Sequence, residues 1–476
     1  MFAKLQRIHF VGIGGIGMSG IAEVLLTLGY GVSGSDLRTS PITSRLRSLG
    51  AKIFEGHSAE NVHGAEVVVT SSAIGSENPE VAEAARLHLP VIQRAEMLAE
   101  LMRLKYGIAV AGMHGKTTTT SMVASVLAAG GLDPTVVVGG RVDSLGSNAR
   151  LGTSHYLVAE ADESDRSFLK LSPILSVVTN IDREHMDCYA DMQDVEKTYI
   201  EFMDRVPFYG MVVCCNDNEP LRAILPRVQR RVVTYGTAEG SDFCIGDIAS
   251  EQRDFQVVSK FRVKYKERDL GEFELHVPGV HNVLNATAAI AVGVGLDIKP
   301  ERIREALKQF RGVDRRFQLK GEAAGVRVID DYGHHPTEIL ATLNAARQYA
   351  GGGKIHVIFQ PHRYTRTYLL MEEFAQAFRD ADTVLVLDIY AASEQPIAGV
   401  TGLSLAQKIQ ASGHSNAEFA VSFDAAIDAA IAQVSPGDIV VTLGAGSVSQ
   451  LGPQIVERLK ASEPARDSQA ATLTRK

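Results

Sequence analysis

Two glycine-rich turns, each preceded by an apolar run and followed by a helical pattern, constrain the fold of this chain more than any other feature. The first turn is "GIGGIG" at residues 12–17, and the second lies within "AGMHGKTTTTS" at residues 111–121. A glycine turn between a strand and a helix lets backbone N–H groups and a helix N-terminus approach a phosphate group closely. The sequence therefore predicts two phosphate-binding sites in one chain.

Apolar runs alternate with helical patterns in three successive stretches of the chain. Such strand–helix alternation predicts an α/β fold with mostly parallel sheets. In the second stretch, the alternating runs "FQVVSKFRVKY" and "GEFELHV" predict a small antiparallel patch. A chain of 476 residues is too long for one hydrophobic core. We predict a first domain at 1–105, a central domain at 106–313, a third domain at 314–460 and a disordered tail at 461–476.

Charge and composition exclude several classes of partner. The net charge of −8 argues against nucleic-acid binding, which needs an excess of Lys and Arg. No apolar run reaches the roughly 20 residues of a membrane span. Four Cys without a CxxC spacing indicate a reducing compartment. We therefore expect a cytoplasmic protein with neither a nucleic-acid nor a membrane partner.

The first turn fits a pyrophosphate site. Gly12, Gly14 and Gly17 follow the G-x-G-x-x-G pattern, with Gly15 inside the loop, and Asp36 ends the next apolar run where an acid commonly holds a ribose. From these residues alone, a nicotinamide or flavin dinucleotide is the first interpretation. A nucleotide sugar also carries a pyrophosphate, and a tight turn with no ligand is a third interpretation.

The second turn departs from the strict GxxxxGK[ST] pattern, because Val110 stands where the first glycine belongs. Lys116 can neutralise the β- and γ-phosphates of a nucleotide, and the Thr117 hydroxyl can ligate Mg²⁺. Four consecutive Thr are poor helix formers, so their place at a helix start favours a phosphate site. The remaining candidate ligand residues in this turn are Gly112, Met113, His114, Gly115 and Thr118.

Polar residues also follow several other predicted strands. Glu160 begins the acidic segment "EADESD", and His185 lies in "NIDREHMDCY". A solvated acidic loop and a structural histidine are the alternatives to metal binding. The segments "DDYGHHPTE" (330–338) and "PHRYTRT" (361–367) concentrate acids, histidines and arginines, and paired arginines suit a carboxylate or phosphate. "HNVLNATAA" (281–289) offers amides for a purine edge or for helix capping.

In this order, the segments closely resemble those of the Mur ligases over nearly the whole chain, to about residue 460. The resemblance implies a Rossmann-like N-terminal domain, a central P-loop-type ATPase domain with a mostly parallel sheet plus a small antiparallel patch, and a Rossmann-like C-terminal domain. It implies an ATP-dependent ligase that joins L-alanine to the lactyl carboxylate of UDP-N-acetylmuramate through an acyl phosphate. The segments that carry it are "GIGGIGMSGIAE", "GSD", "SSAI", "AGMHGKTTTTSM", "EADESD", "REHMD", "HNVLNA", "DDYGHHPTEI" and "PHRYTRT".

The resemblance also implies a role for each candidate residue. The first loop then binds the diphosphate of the UDP-sugar rather than a dinucleotide, and the second binds ATP. The expected UDP-sugar ligands are Gly12, Gly14, Gly15, Gly17, Asp36, Ser71 and Ser72. Asn282 and Asp331 are expected at the adenine and the ribose of ATP. Two Mg²⁺ ions are expected, with Thr117, Glu160 and His185 as ligands. Lys116, His185, Arg363 and Arg366 are the expected catalytic residues, and Tyr332, His334, His362, Arg363 and Arg366 the expected acyl and amino-acid ligands.

One departure from the family and three rival functions remain at this stage. Most sister ligases that add later residues have a carbamylated Lys fifteen positions after the metal-binding His, whereas this chain has Ile200 there. We therefore expect no carbamate. A related ligase that adds a peptide to the same sugar nucleotide is the nearest alternative. An NAD(P)-dependent oxidoreductase leaves the second turn unexplained, and a nucleotide switch leaves the Arg and His turns without a purpose.

Overall fold

The computed structural model describes residues 6–71, 74–142, 147–253 and 256–462. These residues form two compact units. The first unit comprises the chain up to Asp314, except for two short segments, Ser250–Ser259 and Val277–Val280. These two segments belong to the second unit, together with the chain from Arg315 onward.

The first sheet of the first unit is wholly parallel and has the order β3-β2-β1-β4-β5. Because the chain moves outward from β1 to β3 and then returns to the other side of β1, the strand order reverses between β1 and β4. Its strands are β1 (Arg7–Val11), β2 (Gly31–Asp36), β3 (Lys52–Glu55), β4 (Val67–Thr70) and β5 (Val91–Gln93). Its helices are α1 (Ile16–Thr27), α2 (Pro41–Ser48), α3 (Pro79–Arg86) and α4 (Arg94–Arg103).

The second sheet has the order β15-β14-β13-β12-β11-β10-β6-β9-β7-β8. Its strands are β6 (Tyr106–Ala111), β7 (Thr135–Val142), β8 (Ser147–Arg150), β9 (Tyr156–Glu160), β10 (Leu175–Val178), β11 (Met211–Cys215), β12 (Val232–Gly236), β13 (Phe243–Arg253), β14 (Gln256–Tyr265) and β15 (Arg268–Leu275). Its helices are α5 (Lys116–Ala129), α6 (Met192–Asp204), α7 (Glu219–Ile224), α8 (Val280–Gly295) and α9 (Pro300–Gln309).

The second sheet is parallel at its centre and irregular at its edges. Strand β6 pairs in parallel with β9 and β10, and all three are buried along most of their length, as expected of strands covered on both faces. At one edge β7 and β8 pair antiparallel. At the other edge only two residues join the neighbouring strands β14 and β15, a connection that antiparallel strands alone can make.

The sheet of the second unit has the order β16-β17-β21-β18-β19-β20. The β16–β17 pair is antiparallel and the other pairs are parallel. Its strands are β16 (Gln318–Ala323), β17 (Val326–Asp331), β18 (Ile355–Phe359), β19 (Thr383–Val386), β20 (Ala417–Phe419) and β21 (Ile439–Leu443). Its helices are α10 (Pro336–Ala350), α11 (Tyr364–Leu369), α12 (Met371–Gln376), α13 (Gly402–Ala411), α14 (Phe423–Gln433) and α15 (Leu451–Ser462).

Both faces of this third sheet carry a hydrophobic core. Along β18, Val357 and Phe359 belong to one apolar cluster, whereas Ile358 between them belongs to the other. Strand β21 divides in the same way, with Val441 in the first cluster and Val440 in the second. Successive side chains of a strand point to opposite faces, so helices cover the sheet on both sides.

The predicted fold class is confirmed, although several boundaries differ. The sequence predicts a strand over "EVVVTSS" (66–72) and a helix from about Val283, whereas in the structure the strand ends at Thr70 and the helix begins at Val280. Of the predicted tail, residues 461 and 462 end α15 and residues 463–476 lie outside the described part of the chain. The division at 105/106 and 313/314 stays a prediction. Across the described ranges, every helix is too short or too polar to cross a bilayer.

Candidate active site

The first glycine loop, Gly12–Gly17, lies where the strand order of the first sheet reverses. It follows the carboxyl end of β1 and leads into α1, whose N-cap residue is Gly15. Because a glycine has no side chain to cap the helix, the first N–H groups of α1 stay available to an anion. The turn after β4 lies beside this loop, since a Cβ on Gly12 would come within 3.8 Å of Ile74. Ser71 begins that turn, and Ser72 lies outside the described residues.

Asp36 is part of the loop structure itself. Its Oδ2 accepts a hydrogen bond from the Gly14 N–H at 2.8 Å. A Cβ at Gly14 would lie 2.7 Å from the same oxygen, so only glycine permits this contact. The predicted contact between Asp36 and a ribose is untested and stays a prediction. The observed bond indicates that Asp36 also fixes the conformation of the first loop.

A buried carboxylate lies beneath the first loop. Glu80 Oε2 accepts a hydrogen bond from Ser35 Oγ at 2.6 Å and lies 3.0 Å from His57 Nδ1, while Oε1 accepts one from Asn61 at 2.6 Å. Burial opposes ionisation, but hydrogen bonds from His9, Ser35 and Asn61 lower the pKa of Glu80 to about 2. The Ser35 carbonyl in turn accepts the N–H groups of the first two loop residues. Glu80 therefore supports the strand end that holds the loop.

The second glycine loop, Gly112–Gly115, joins β6 to α5 at the centre of the second sheet. Gly112 has φ +130° and Gly115 has φ +82°, both in the region that favours glycine. A Cβ on Gly112 would lie 2.0 Å from Thr179 Oγ1, and one on Gly115 would lie 2.8 Å from Asn285 Oδ1. Only glycine fits at these two positions. Gly115 is also the N-cap of α5 and has no side chain to cap it, so the first N–H groups of α5 stay available to an anion.

Lys116 and Glu163 form an ion pair at the start of α5. Lys116 Nζ lies 2.6 Å from Glu163 Oε1 and also donates to the carbonyl oxygens of Gly112 and Met113. The two side chains are 19% and 1% exposed. Burial opposes the positive charge, but the carboxylate of Glu163 raises the pKa of Lys116 above its ordinary value. The lysine is therefore a fixed cation at the mouth of the loop.

His185 joins the same group of side chains. Its backbone has φ +57°, and its Nε2 lies 3.5 Å from Glu163 Oε1. The structure thus brings together Lys116 and His185, two residues that the sequence placed in the site. Glu160 ends β9 beside β6, and Thr117 lies in the first turn of α5.

The donor set around Lys116 fits a divalent cation. Glu163 Oε2 is buried without a hydrogen-bond partner among the described residues. A buried carboxylate oxygen without a partner is costly unless a cation or water satisfies it. Carboxylates and a hydroxyl are the oxygen ligands that Mg²⁺ prefers, and an imidazole can complete the set. Glu163 and His185 therefore fit the predicted metal, and the places of Thr117 and Glu160 in its ligand shell stay a prediction.

Amide side chains anchor the second loop from the outside. Asn180 accepts the His114 N–H at 2.8 Å and donates to the His114 carbonyl at 2.9 Å. On the other side, Asn285 accepts from the Thr119 hydroxyl at 3.1 Å and donates to Asn282 Oδ1 at 3.2 Å. Asn282 is thus linked to α5 by a hydrogen bond to Asn285. Its contact with adenine stays a prediction.

In the second unit, Asp331 ends β17 and is only 6% exposed. Its Oδ2 accepts the Phe317 N–H at 2.7 Å, and its Oδ1 accepts the Gly333 N–H at 2.7 Å and the Thr342 hydroxyl at 3.1 Å. Burial raises the pKa of this carboxyl group above its ordinary value. Asp331 thus holds the turn after β17, and its predicted contact with the ATP ribose stays a prediction.

Four arginines form a cationic cluster at the carboxyl ends of β17 and β18; its members are Arg315, Arg316, Arg363 and Arg366. The guanidinium groups of Arg315 and Arg316 both lie 4.9 Å from the centre of the Tyr332 ring. Arg366 Nη1 lies 3.2 Å from His362 Nδ1, and the His362 ring lies 5.8 Å from that of His334. Burial, followed by the charges of His334 and the arginines, lowers the pKa of His362 to about 3. Three of the arginines also face carboxylates, Arg315 that of Asp330, Arg316 that of Glu338 and Arg363 that of Glu394, so part of the positive charge of the cluster is already balanced.

The structure groups most of the predicted residues and adds some that the sequence interpretation missed. Within the first unit it places the two glycine loops on separate sheets. Within the second unit it brings Tyr332, His334, His362 and Arg366 together. The residues that were missed share one property, a partner far away in sequence; they are Arg94, Glu163, Asn180, Asn285 and Arg315. Of these, Glu163, Asn180 and Asn285 lay in segments that the sequence analysis singled out, "EADESD", "NIDREHMDCY" and "HNVLNATAA".

Three family domains match successive parts of the chain. Residues 7–106 match the domain described as "Mur ligase family, catalytic domain", residues 110–293 match "Mur ligase middle domain", and residues 315–446 match "Mur ligase, glutamate ligase domain". The matches follow the order of the three sheets.

Individual proteins match the chain over nearly its whole length. UDP-N-acetylmuramate–L-alanine ligase of Koribacter versatilis is 71% identical over 98% of this chain and 100% of that protein. The crystal structure of UDP-N-acetylmuramate–alanine ligase from Thermotoga maritima is 32% identical and has a TM-score of 0.80, covering 96% of this chain and 100% of that one. A murein peptide ligase from Psychrobacter arcticus has the same fold, with 24% identity, a TM-score of 0.68 and coverage of 96% and 99%. The chain belongs to the Mur ligase family.

Proposed function

We propose that this protein is an ATP-dependent ligase that joins L-alanine to the lactyl carboxylate of UDP-N-acetylmuramate, with ADP and phosphate as the other products. The observation that carries the proposal is the presence of two glycine loops at helix N-termini on two sheets of one compact unit. A ligase of this kind needs one site for the nucleotide sugar and one for ATP. The alanine ligases among its relatives, one of them 71% identical, support the choice of substrates.

The chemistry requires activation of a carboxylate. A carboxylate is unreactive toward an amine until one of its oxygens becomes a leaving group. In the proposed path, a lactyl carboxylate oxygen attacks the γ-phosphorus of ATP in line, which breaks the γ-phosphate bond to ADP and forms an acyl phosphate. The alanine amine then attacks the acyl carbon, and phosphate leaves with that oxygen. The protein acts by positioning the reactants and offsetting charge.

Lys116 offsets the repulsion between the two anions that must meet. It is held by Glu163 and by two loop carbonyls, so it needs little reorganisation when the negative charge shifts toward ADP. Thr117, Glu160 and His185, with Glu163 beside them, would hold Mg²⁺. The bound ion would supply further charge neutralisation at the phosphates.

The cationic cluster of the second unit would hold an anionic reacting group. Arg363 and Arg366 suit a carboxylate or an acyl phosphate, because a guanidinium donates two parallel hydrogen bonds to such groups. The neutral His362 beside Arg366 adds a hydrogen-bonding group without adding charge. We assign Tyr332 and His334 to the pocket for the small amino acid and keep Asp331 and Asn282 as proposed ATP contacts. The cytoplasmic location stays a prediction.

Phosphate release provides the test of this function. The purified protein with Mg²⁺ and ATP is expected to release phosphate only when both UDP-N-acetylmuramate and L-alanine are present. Release with a tripeptide but not with L-alanine would favour the peptide-adding ligase. Phosphate release that requires neither substrate, or binding of NADH at the first loop, would contradict the proposal.

A further inference from the structure

Arg94 lies against the first glycine loop, although it comes from a different helix. It is the first residue of α4, and a Cβ built on Gly17 would lie 3.0 Å from Arg94 Nη1 and 3.1 Å from its Cδ. Gly17 lies in the first turn of α1. The arginine side chain therefore covers the backbone of the loop at the start of the helix, and a larger residue at position 17 would displace it.

This position is electrostatically unfavourable without an anion. A helix N-terminus carries about half a positive charge, so it repels a cation and attracts an anion. The Arg94 guanidinium is 25% exposed, and among the described residues its ion pair is with Asp162, whose side chain is 40% exposed. Among the described residues, Arg94 donates one hydrogen bond, from Nη2 to Asp162 Oδ2 at 3.0 Å. Other N–H groups of this five-donor fork therefore remain for a second acceptor.

Asp162 connects this arginine to the ATP loop. It lies in the acidic segment between Glu160 and Glu163, the partner of Lys116. The Arg94–Asp162 pair thus links the N-terminus of α1 to the segment that surrounds Lys116.

A second ion pair fastens α4 to the same part of the second sheet. Lys170 Nζ donates to Glu96 Oε1 and, at 2.7 Å, to Gln93 Oε1. Lys170 ends the short 3₁₀ turn Ser167–Lys170 that follows the acidic segment. This second pair resembles Arg94–Asp162 in exposure, and among the described residues it has no hydrogen bond or ion pair with the glycine loop. It therefore supplies a matched control.

We propose that Arg94 binds the diphosphate of the sugar nucleotide together with the first glycine loop, and that Asp162 positions it from the acidic segment of the ATP site. This inference rests on the proposed function, because it takes the ligand of the first loop to be UDP-N-acetylmuramate. The glycine loop contains no cationic residue, so Arg94 would supply the positive charge next to the diphosphate. It also gives Asp162 a role distinct from those of the neighbouring metal ligands.

Calorimetric titration of the full chain with UDP-N-acetylmuramate tests the assignment. Arg94→Gln is expected to weaken binding about tenfold to a hundredfold, the loss typical of one charge-assisted hydrogen bond. Arg94→Lys should lie between Arg94→Gln and wild type, because an ammonium keeps the charge but lacks the fork. Glu96→Gln should bind as wild type. The affinity for a non-hydrolysable ATP analogue with Mg²⁺ should be the same in all three variants.

UDP and UMP as shorter probes identify the group that Arg94 contacts. If Arg94 holds the diphosphate, Arg94→Gln weakens the binding of UDP more than that of UMP. Equal losses for the two probes would contradict the assignment. Asp162→Asn should weaken UDP-sugar binding by only about two- to fivefold, as expected for a partly exposed ion pair. Tighter binding by Asp162→Asn would show that Asp162 competes with the diphosphate for Arg94 instead of positioning Arg94. That result would overturn the role proposed for Asp162.

The outcomes separate this inference from the proposed function. A wild-type protein that fails to bind UDP-N-acetylmuramate contradicts the proposed function itself. A wild-type protein that binds the sugar nucleotide and ligates alanine, with Arg94→Gln indistinguishable from Glu96→Gln, overturns the role of Arg94 alone.

Discussion

Replacement of Lys116 by alanine removes the cation on which the second loop depends. The side chain makes three contacts, with Glu163 Oε1 at 2.6 Å, the Gly112 carbonyl at 2.7 Å and the Met113 carbonyl at 3.1 Å. In the proposed reaction it also faces the phosphates whose charge shifts in the transition state. The substitution therefore has one consequence for catalysis and another for stability.

The two magnitudes follow from the burial of the pair. Loss of one preorganised partner of a developing charge typically lowers kcat by about 10²–10³-fold. Glu163 is 1% exposed, and removal of one partner of a buried ion pair costs about 3–5 kcal/mol of folding free energy. The double variant Lys116→Ala/Glu163→Ala leaves no unpaired charge. We expect it to recover much of the thermal stability while its kcat stays low.

Steady-state phosphate release at saturating ATP, UDP-N-acetylmuramate and L-alanine measures the first effect, and thermal unfolding by circular dichroism measures the second. Lys105→Ala is the matched control, because Lys105, just before β6, donates to the Ser154 carbonyl at 2.7 Å and to no other group of the described residues. Turnover of Lys116→Ala near that of Lys105→Ala would refute the reasoning. Recovery of activity in the double variant would refute it as well.

Three further predictions concern other parts of the molecule. Asp36→Ala should weaken UDP-N-acetylmuramate binding in calorimetry about tenfold to a hundredfold, because Gly14 loses a charged acceptor, while ATP-analogue binding is unchanged. Arg366→Ala should bind the ATP analogue normally but lose phosphate release, because its guanidinium belongs to the acyl site. Glu80 has a folded-state pKa of about 2, below its ordinary 4.5, so it stabilises the fold above pH 4.5 and this contribution, on the order of 3 kcal/mol, is lost as pH falls toward 2. Urea unfolding of Glu80→Gln should therefore depend less on pH between 5 and 3 than that of wild type.

Each of these predictions has a control on the same element or sheet. Glu66→Ala removes a carboxylate near the amino end of β4, away from the loop, and should bind the sugar nucleotide as wild type. Arg347→Ala breaks an ion pair with Asp382 and should ligate normally. Arg86 and His63 also lower the pKa of Glu83, on the same helix as Glu80, to about 2, but both partners are more than half exposed, so solvent screens these pairs and Glu83→Gln should change the pH dependence less than Glu80→Gln does. Equal behaviour of a variant and its control would contradict the assigned role.

The glycine loops were predictable because their backbone restricts the residue type. Gly112 and Gly115 have positive φ and lie against Thr179 and Asn285, so a residue with a side chain would be strained or would clash there. A glycine at each position therefore indicates the backbone conformation. The parallel strands of the centre were predictable for a similar reason, since apolar runs such as β11 are buried throughout. A short edge strand such as β20, with three residues, contains too few positions for a sequence pattern to identify it.

The ion pairs of the site were not predictable, because each joins residues that are distant in sequence. Lys116 and Glu163 are 47 residues apart, and Arg94 and Asp162 are 68 apart. No local periodicity connects such pairs. The first pair meets because β6 and β9 are neighbouring strands, and the second joins helix α4 of the first sheet to the segment after β9 of the second sheet. The resemblance to a family supplied the roles of many residues, but it did not indicate the contact of Arg94 with Gly17.

The fate of the carboxylate oxygens tests the central claim most directly. UDP-N-acetylmuramate labelled with ¹⁸O in both lactyl carboxylate oxygens is incubated with the protein, Mg²⁺, ATP and L-alanine, and the released phosphate is analysed by mass spectrometry. Because the proposed acyl phosphate transfers one carboxylate oxygen to phosphorus, we predict one ¹⁸O atom in each phosphate and one in the new amide carbonyl. Ligation with unlabelled phosphate would show that the carboxylate is not activated by phosphorylation and would contradict the proposed mechanism.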